Sequence, residues 1–198
     1  YWTEKQFNRI SNSFCATMLV LLFGVGANVC TRKIISKKLS NKDLNAKLNN
    51  ALSKLGPDFK NIMMPGICIV ITPLIALMKD QVAKLRERGI KAVAIFSGMS
   101  RDNIVAALDN CILGGYKFLY ISPERLTSDI FLTKLRRMQV SFITIDESHC
   151  ISQWGYDFRP SYLAIADIRK QLPDIPILAL TATATPEVVK DIQQRLQF

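Results

Sequence analysis

Histidine is almost missing from this 198-residue chain; His149 is the single one. Cysteine is sparse as well. Cys15, Cys30, Cys68, Cys111 and Cys150 make an odd set with no Cys-x-x-Cys pair. That argues against a disulfide frame and a structural zinc site, and for buried thiols in a reducing compartment. No apolar run reaches the ~20 residues a spanning helix needs. The nearest candidate, Phe14 to Val29, contains Asn28 and two glycines and reads as a core strand with its turn. No secretory leader is evident, and the chain opens on Tyr1 rather than methionine, as a piece of a longer protein would. What is present is ample apolar material, 49% of residues. This excludes disorder over the whole chain and suffices for one domain with a real core.

Acidic charge is also in short supply, but unevenly. The net charge is +10, which ordinarily points to a polyanionic partner. Residues 1–66 hold ten Lys/Arg against three Asp/Glu, whereas residues 67–198 hold sixteen against thirteen. Bulk charge therefore says little about a partner for the longer segment.

From Pro65 the hydrophobic pattern alternates between short β-branched runs and stretches of helical spacing. Strands are expected at Ile67–Thr72, Ala92–Phe96, Lys117–Ile121, Val140–Ile145 and Ile175–Thr181. Helices are expected at Leu74–Arg88, Arg101–Leu113, Asp129–Arg137, Tyr162–Gln171 and Pro186–Arg195, the last with proline in its first turn. This rhythm implies an α/β fold, a parallel sheet with helices on both faces. Upstream, Thr17–Phe23 reads as a further strand, with Gly24-Val25-Gly26 as the turn after it. A Lys/Asn/Ser-rich stretch follows from Thr31 to Lys60.

The chemistry concentrates after Val140–Ile145. The apolar run leads directly into Asp146 and Glu147, and in an open parallel sheet ligands bind beyond the carboxyl ends of the strands. Two carboxylates there suit a magnesium nucleotide. Asp146 would anchor the ion, and Glu147 would orient or deprotonate the attacking water. A bare Asp-Glu pair is often just a solvated strand end. Here it is followed by His149, by an aromatic, Arg-containing loop from Ser152 to Tyr162, and by Leu180-Thr181-Ala182-Thr183-Ala184-Thr185. In the loop, Trp154, Tyr156 and Phe158 alternate with polar residues, while Gly155, Asp157 and Pro160 favour an exposed turn over a core hairpin. Exposed aromatics beside such a site suit base stacking, at ~1–3 kcal/mol per base.

Together these segments resemble the RecQ family of DNA helicases, within helicase superfamily two. Ile71-Thr72-Pro73-Leu74-Ile75-Ala76-Leu77-Met78-Lys79-Asp80-Gln81 looks like motif Ia, and Phe118-Leu119-Tyr120-Ile121-Ser122-Pro123-Glu124-Arg125-Leu126 looks like motif Ib. Asp146-Glu147-Ser148-His149 looks like motif II, with Ser148 where alanine is common. Leu180 to Thr185 looks like motif III. The loop after motif II is the specific element, because DEAD-box RNA helicases and chromatin remodellers lack it. Tyr156 stands where the family commonly has histidine.

The resemblance implies a RecA-like lobe of the P-loop NTPase type. It implies ATP with Mg2+ as cofactors, single-stranded or forked DNA as partner, and 3′-to-5′ movement in repair and recombination. It also implies a cytoplasmic setting, at the nucleoid in a bacterium. Asp146 becomes the metal residue, Glu147 the general base and His149 a reporter of nucleotide state, bonded toward Thr181 or Gln153. Gln153, Thr181 and Thr183 become coupling residues. Trp154, Tyr156, Phe158, Arg159, Thr72, Pro73, Lys79, Ser122 and Glu124 become DNA contacts, although Lys79 is equally readable as a solvated helix cation. Cys68, Cys111 and Cys150 read as packing residues. The second RecA-like lobe, with its arginine finger, is not among these motifs, so the chain alone is expected to be a poor ATPase and no helicase. A non-catalytic DNA-binding remnant, a pseudogene product and an RNA helicase lobe are the rival readings.

One element of that resemblance is missing. The phosphate loop wraps the phosphates with glycine amides, a lysine and a Ser/Thr hydroxyl, yet no Gly-Lys-Ser or Gly-Lys-Thr occurs in the chain. Gly24 and Gly26 sit in the expected place without both functional side chains, and the nearest cation is Arg32. The adenine-reading pattern keeps Phe7 but has Asn8 and Ser11 where Arg and Gln are expected. Residues 1–66 therefore read as a divergent or out-of-frame part of the lobe, and residues 67–198 as its motifs Ia to III. A frameshifted or misassembled gene is the preferred explanation over a true insertion or a divergent working loop. Codons for Phe23 to Thr31 read from the third base allow Gly-Gly-Gly-Lys-Cys-Leu-Tyr.

Overall fold

The computed structural model describes residues 66–154, 157–181 and 184–196. The expected strand at Thr17–Phe23, the phosphate-loop glycines and the division at residue 66 fall on or beyond its edge and lie outside the described residues, as do Tyr156 and Thr183.

Within the described residues the chain runs β1 (Ile67–Ile71), α1 (Ile75–Glu87), β2 (Ala92–Ile95), α2 (Arg101–Leu113), β3 (Phe118–Ile121) and α3 (Asp129–Leu135). It continues with β4 (Val140–Ile145), α4 (Ala164–Gln171), β5 (Ile177–Ala179) and α5 (Pro186–Leu196). The five strands pair in the order β2-β3-β1-β4-β5, all parallel. This bears out the expected α/β fold. Boundaries shift by a residue or two; at α4 the two residues before Ala164 belong instead to a one-turn 3-10 helix, Pro160–Leu163.

Every residue of β1 is buried, as a strand covered on both faces requires. Ile67, Ile69 and Ile71 join one core with Leu119, Ile121, Ile143, Ile145 and the buried faces of α2, α4 and α5. Cys68 and Val70 are buried on the opposite face. Local chemistry starts the helices. Ser100 and Ser128 accept hydrogen bonds from the N–H groups of Asn103 and Phe131 at the first turns of α2 and α3. Thr185 does the same for Val188 ahead of α5, with Pro186 leading the helix. Among the described residues no helix is long and apolar enough to cross a membrane.

The order of strands fixes where chemistry can occur. The chain builds β1, β2 and β3 on one side, then crosses β1 to place β4 on the other. At such a reversal the strand ends leave a crevice. Its rim, read from β3 to β5, carries Ser122, Thr72, Asp146 and Thr181, one residue after each strand or close to it.

Candidate nucleotide and nucleic-acid site

Asp146 is held from four directions. Its N–H donates to the Ile71 carbonyl at 2.8 Å, prolonging the β1–β4 ladder. Thr72 Oγ1 donates to Oδ2 at 3.4 Å, the Glu147 N–H donates to Oδ1 at 3.0 Å, and Tyr162 OH donates to the main-chain carbonyl at 3.0 Å. The side chain is 4% exposed, so its charge is oriented rather than solvated. Burial of an oriented carboxylate at a strand end is what a divalent ion would offset. Asp146 fits the magnesium of a nucleotide on this ground.

Glu147 bends the chain. Its φ of 48° is the one positive value among described non-glycine residues. A left-handed residue with a side chain costs on the order of 1–3 kcal/mol and persists where the surroundings over-determine it. Here the surroundings include the Ser148 N–H, which donates to the Leu180 carbonyl at 2.8 Å and ties the turn to the end of β5. The kink leaves the Glu147 side chain a quarter exposed beside buried Asp146, an arrangement suited to handling a water.

His149 follows in a one-turn 3-10 helix, Ser148–Ile151. Its Nδ1 lies 2.8 Å from Thr181 Oγ1 and 3.4 Å from Glu147 Oε2. Of its two expected partners, Thr181 is bonded at this distance, and Gln153 is exposed. Ser122 and Ser148 are buried, and their hydroxyls have no hydrogen-bond partner among the described residues.

The loop that follows is built differently. Trp154 is 78% exposed, with its N–H held by Ser152 Oγ at 3.2 Å. Arg159 pairs with Asp157 through Nη2 at 2.9 Å and Nε at 3.3 Å. That guanidinium holds the Asp157 carboxyl below its ordinary range. The Arg159 N–H returns to the Cys150 carbonyl at 3.1 Å, and Phe158 is half-buried. The loop ends on Tyr162, fully buried, whose hydroxyl reaches the Asp146 carbonyl. Burial pushes that phenol well above its usual range, so it stays a donor.

The remaining expected contacts scatter along the rim. Thr72 and Ser122 are buried, with the Thr72 hydroxyl turned to Asp146. Pro73 is half-buried. Lys79 is exposed, its ammonium 4.7 Å from the centre of the Phe96 ring, a cation–π placement. Glu124 is exposed and accepts from Ser161 Oγ at 3.4 Å, linking the turn after β3 to the end of the aromatic loop. Sequence reasoning missed three participants: Tyr162, Cys150 and Asp157. The Cys150 thiol lies 3.8 Å from both His149 Nε2 and Asp157 Oδ2, joining the acidic turn to the loop. No sequence pattern signals that contact, because it depends on Asp157 folding back over the turn.

Comparison with known proteins agrees with the geometry. The family model described as DEAD/DEAH box helicase matches residues 44–192, and so begins inside the basic N-terminal stretch. The ATP-dependent DNA helicase RecQ of Bacillus subtilis (strain 168) is 53% identical over 138 residues, 69% of this chain and 23% of that protein. The Probable ATP-dependent DNA helicase RecS of the same organism is 43% identical over 167 residues, 83% of this chain and 33% of that protein. The chain thus spans about a quarter to a third of the length of these curated relatives. In three dimensions it is similar to the Pyrococcus furiosus Hef helicase domain, with a TM-score of 0.52 at 18% identity over 79% of this chain and 31% of that one. At that identity the likeness is one of fold.

Proposed function

The chain belongs to the DEAD/DEAH box helicase family, in its RecQ-like branch, and from that premise we propose that it is the first motor lobe of an ATP-dependent 3′-to-5′ DNA helicase. The observation that carries this reading is the fixed Asp146 with Glu147 turned out beside it, joined through His149 to Thr181 and through Tyr162 to the aromatic loop. ATP with magnesium, when bound, supplies the phosphoryl chemistry. Asp146 holds the metal side of that nucleotide. Glu147 takes the proton of the attacking water, and His149 senses the change at Glu147 and passes it to Thr181. Gln153 and Thr183 belong to the same coupling path.

DNA is the partner in this reading. Trp154, Tyr156 and Phe158 stack on bases, and Arg159 holds a phosphate once released from Asp157. Pro73, Lys79 and Glu124, with the strand-end backbone at Thr72 and Ser122, follow the sugar-phosphate strand. Residues 67–198 supply motifs Ia to III, and residues 1–66 the divergent part containing Gly24 and Gly26. Such a motor works in the cytoplasm, at the nucleoid of a bacterium. The 198 residues contain no phosphate-loop Gly-Lys-Ser or Gly-Lys-Thr, and on that ground the isolated chain is expected to separate no strands.

The test uses an intact parent carrying this lobe. Glu147→Gln is expected to lower DNA-stimulated ATP hydrolysis by roughly 10²–10⁴, the range for a lost general base, while nucleotide still binds. Hydrolysis at the wild-type rate in that variant removes Glu147 from the chemistry and the reading with it.

A further inference from the structure

We propose that His149, Cys150 and Asp157 form a binding site for a soft divalent cation of the zinc class, at the joint between the acidic turn and the aromatic loop. Their ligand atoms all lie within 4.8 Å of one another. Cys150 Sγ is 3.8 Å from His149 Nε2 and 3.8 Å from Asp157 Oδ2. Zinc bonds of about 2.3 Å to sulfur and about 2.0–2.2 Å to nitrogen or oxygen, set tetrahedrally, place neighbouring ligand atoms roughly 3.5 Å apart. Both sulfur contacts are already close to that spacing.

The imidazole is also turned the right way. Nδ1 faces Thr181 Oγ1 at 2.8 Å and Glu147 Oε2 at 3.4 Å. This favours the proton on Nδ1 and leaves the Nε2 lone pair toward the thiol. A metal-bound histidine whose second N–H meets a carboxylate or hydroxyl is the arrangement that fixes zinc-ligating rings. One imidazole, one thiolate and one carboxylate select zinc or cadmium over magnesium, which prefers oxygen ligands and keeps its waters. Binding releases the Cys150 thiol proton to solvent, and water completes the fourth position. Asp157, with 41% of its side chain exposed, is the way in. Arg159 opposes the ion, because its guanidinium sits 2.9 Å from Asp157 Oδ2 and must swing away. Affinity is therefore far below that of a structural zinc site. Occupied, the site clamps the turn to the loop, so the ion inhibits coupling. That consequence rests on the motor reading; the binding itself does not.

The experiment is a cadmium titration of the full chain in excess magnesium, read by the ultraviolet thiolate-to-metal charge-transfer band, with zinc as competitor. One equivalent of cadmium should produce the band and zinc should abolish it. Cys150→Ser should lose it, Asp157→Asn should weaken binding by about tenfold or more, and the double variant Cys15→Ser/Cys30→Ser should keep it. Even a lost second-shell partner costs roughly 10–100-fold in metal affinity. If Cys150→Ser does not fold, Asp157→Asn, a change at a part-exposed side chain, still decides the matter. No band in the wild type, a band that survives Cys150→Ser, or unchanged affinity in Asp157→Asn overturns the proposal. None of these readouts depends on ATP or DNA.

Discussion

Two stretches of one connection, separated by only a few residues, are built on opposite principles. The turn Asp146–His149 is buried except at part-exposed Glu147, with the Asp146 carboxylate, the imidazole and the main chain tied to the ends of β1 and β5. The loop that follows shows its largest ring, Trp154, to solvent at 78% exposure and pairs its charges locally, Asp157 with Arg159. A site that positions metal and water, the role proposed for the turn, has to be rigid before its ligand arrives. A surface that meets successive bases, the role proposed for the loop, has to be accessible and tolerant of sequence. The two are joined at few points, chiefly Tyr162 to the Asp146 carbonyl and Cys150 between His149 and Asp157. Signals between nucleotide and strand pass through those points in the proposed motor.

The widest separation between the two regions should appear on emptying the loop. In an intact parent, Trp154→Ala with Phe158→Ala should weaken single-stranded DNA binding by ~2–6 kcal/mol if both rings stack, and leave nucleotide affinity in the absence of DNA unchanged. Wild-type DNA affinity in the double variant removes the stacking assignment. Cutting a joint should do less. Tyr162→Phe removes the hydrogen bond to the Asp146 carbonyl and should destabilise the lobe by ~0.5–1.5 kcal/mol in a denaturant titration, with DNA stimulation of hydrolysis reduced as well. Full stability with full stimulation would show that the joint carries nothing.

Smaller again is the effect expected within the turn. Thr72→Val removes the hydroxyl on Asp146 Oδ2 and should cost ~0.5–1.5 kcal/mol of magnesium-nucleotide affinity in the parent. A larger loss would mean that Thr72 meets the ligand directly. Least visible near neutral pH is the Cys150 thiol, which burial pushes up to about 11. A thiol with its folded value raised above its unfolded one, near 9, keeps its full stabilising contribution below pH 9 and loses it as pH rises through about 11. Alkaline unfolding of the wild type should therefore begin earlier than that of Cys150→Ala. Coincident profiles would show that the thiol titrates as it does in the unfolded chain.

Much of this was legible in the sequence, for physical reasons. β1 and β4 announce themselves because a strand covered on both faces must be apolar at every position, and Ile67–Ile71 and most of Val140–Ile145 are. Arg101–Leu113 is bounded by Ser100 and Gly114, a capping residue and a helix terminator, so its limits follow from the sequence. The start of α4 does not, because Tyr162 has helical spacing but closes a 3-10 turn to reach the Asp146 carbonyl. Asp146 and His149 stand out by residue type and place. The partners that hold them, Thr72 just after β1 and Tyr162 at the end of the loop, depend on strand order and on a fold-back, and spacing encodes neither. Tyr156, Thr183 and the two phosphate-loop glycines lie outside the described residues and stay as sequence readings.

Nucleotide affinity separates the contribution of Asp146 from that of a phosphate loop. The chain as written presents Asp146 and Glu147 without a phosphate-loop lysine, and two carboxylates repel a polyphosphate unless metal bridges them. A lost charge-assisted bond of ~1.5–3 kcal/mol weakens binding by roughly ten- to more than a hundredfold. Titration of magnesium-ATP into three polypeptides separates the contributions: the chain itself, a version with an in-frame Gly-Lys-Ser loop in place of residues 24–64, and that version carrying Asp146→Asn. No saturable binding at micromolar nucleotide is expected for the first, recovery in the second and loss again in the third. Tight binding by the chain as written would show that no phosphate-loop lysine is needed, and recovered binding indifferent to Asp146→Asn would show that Asp146 does not hold the metal of the nucleotide.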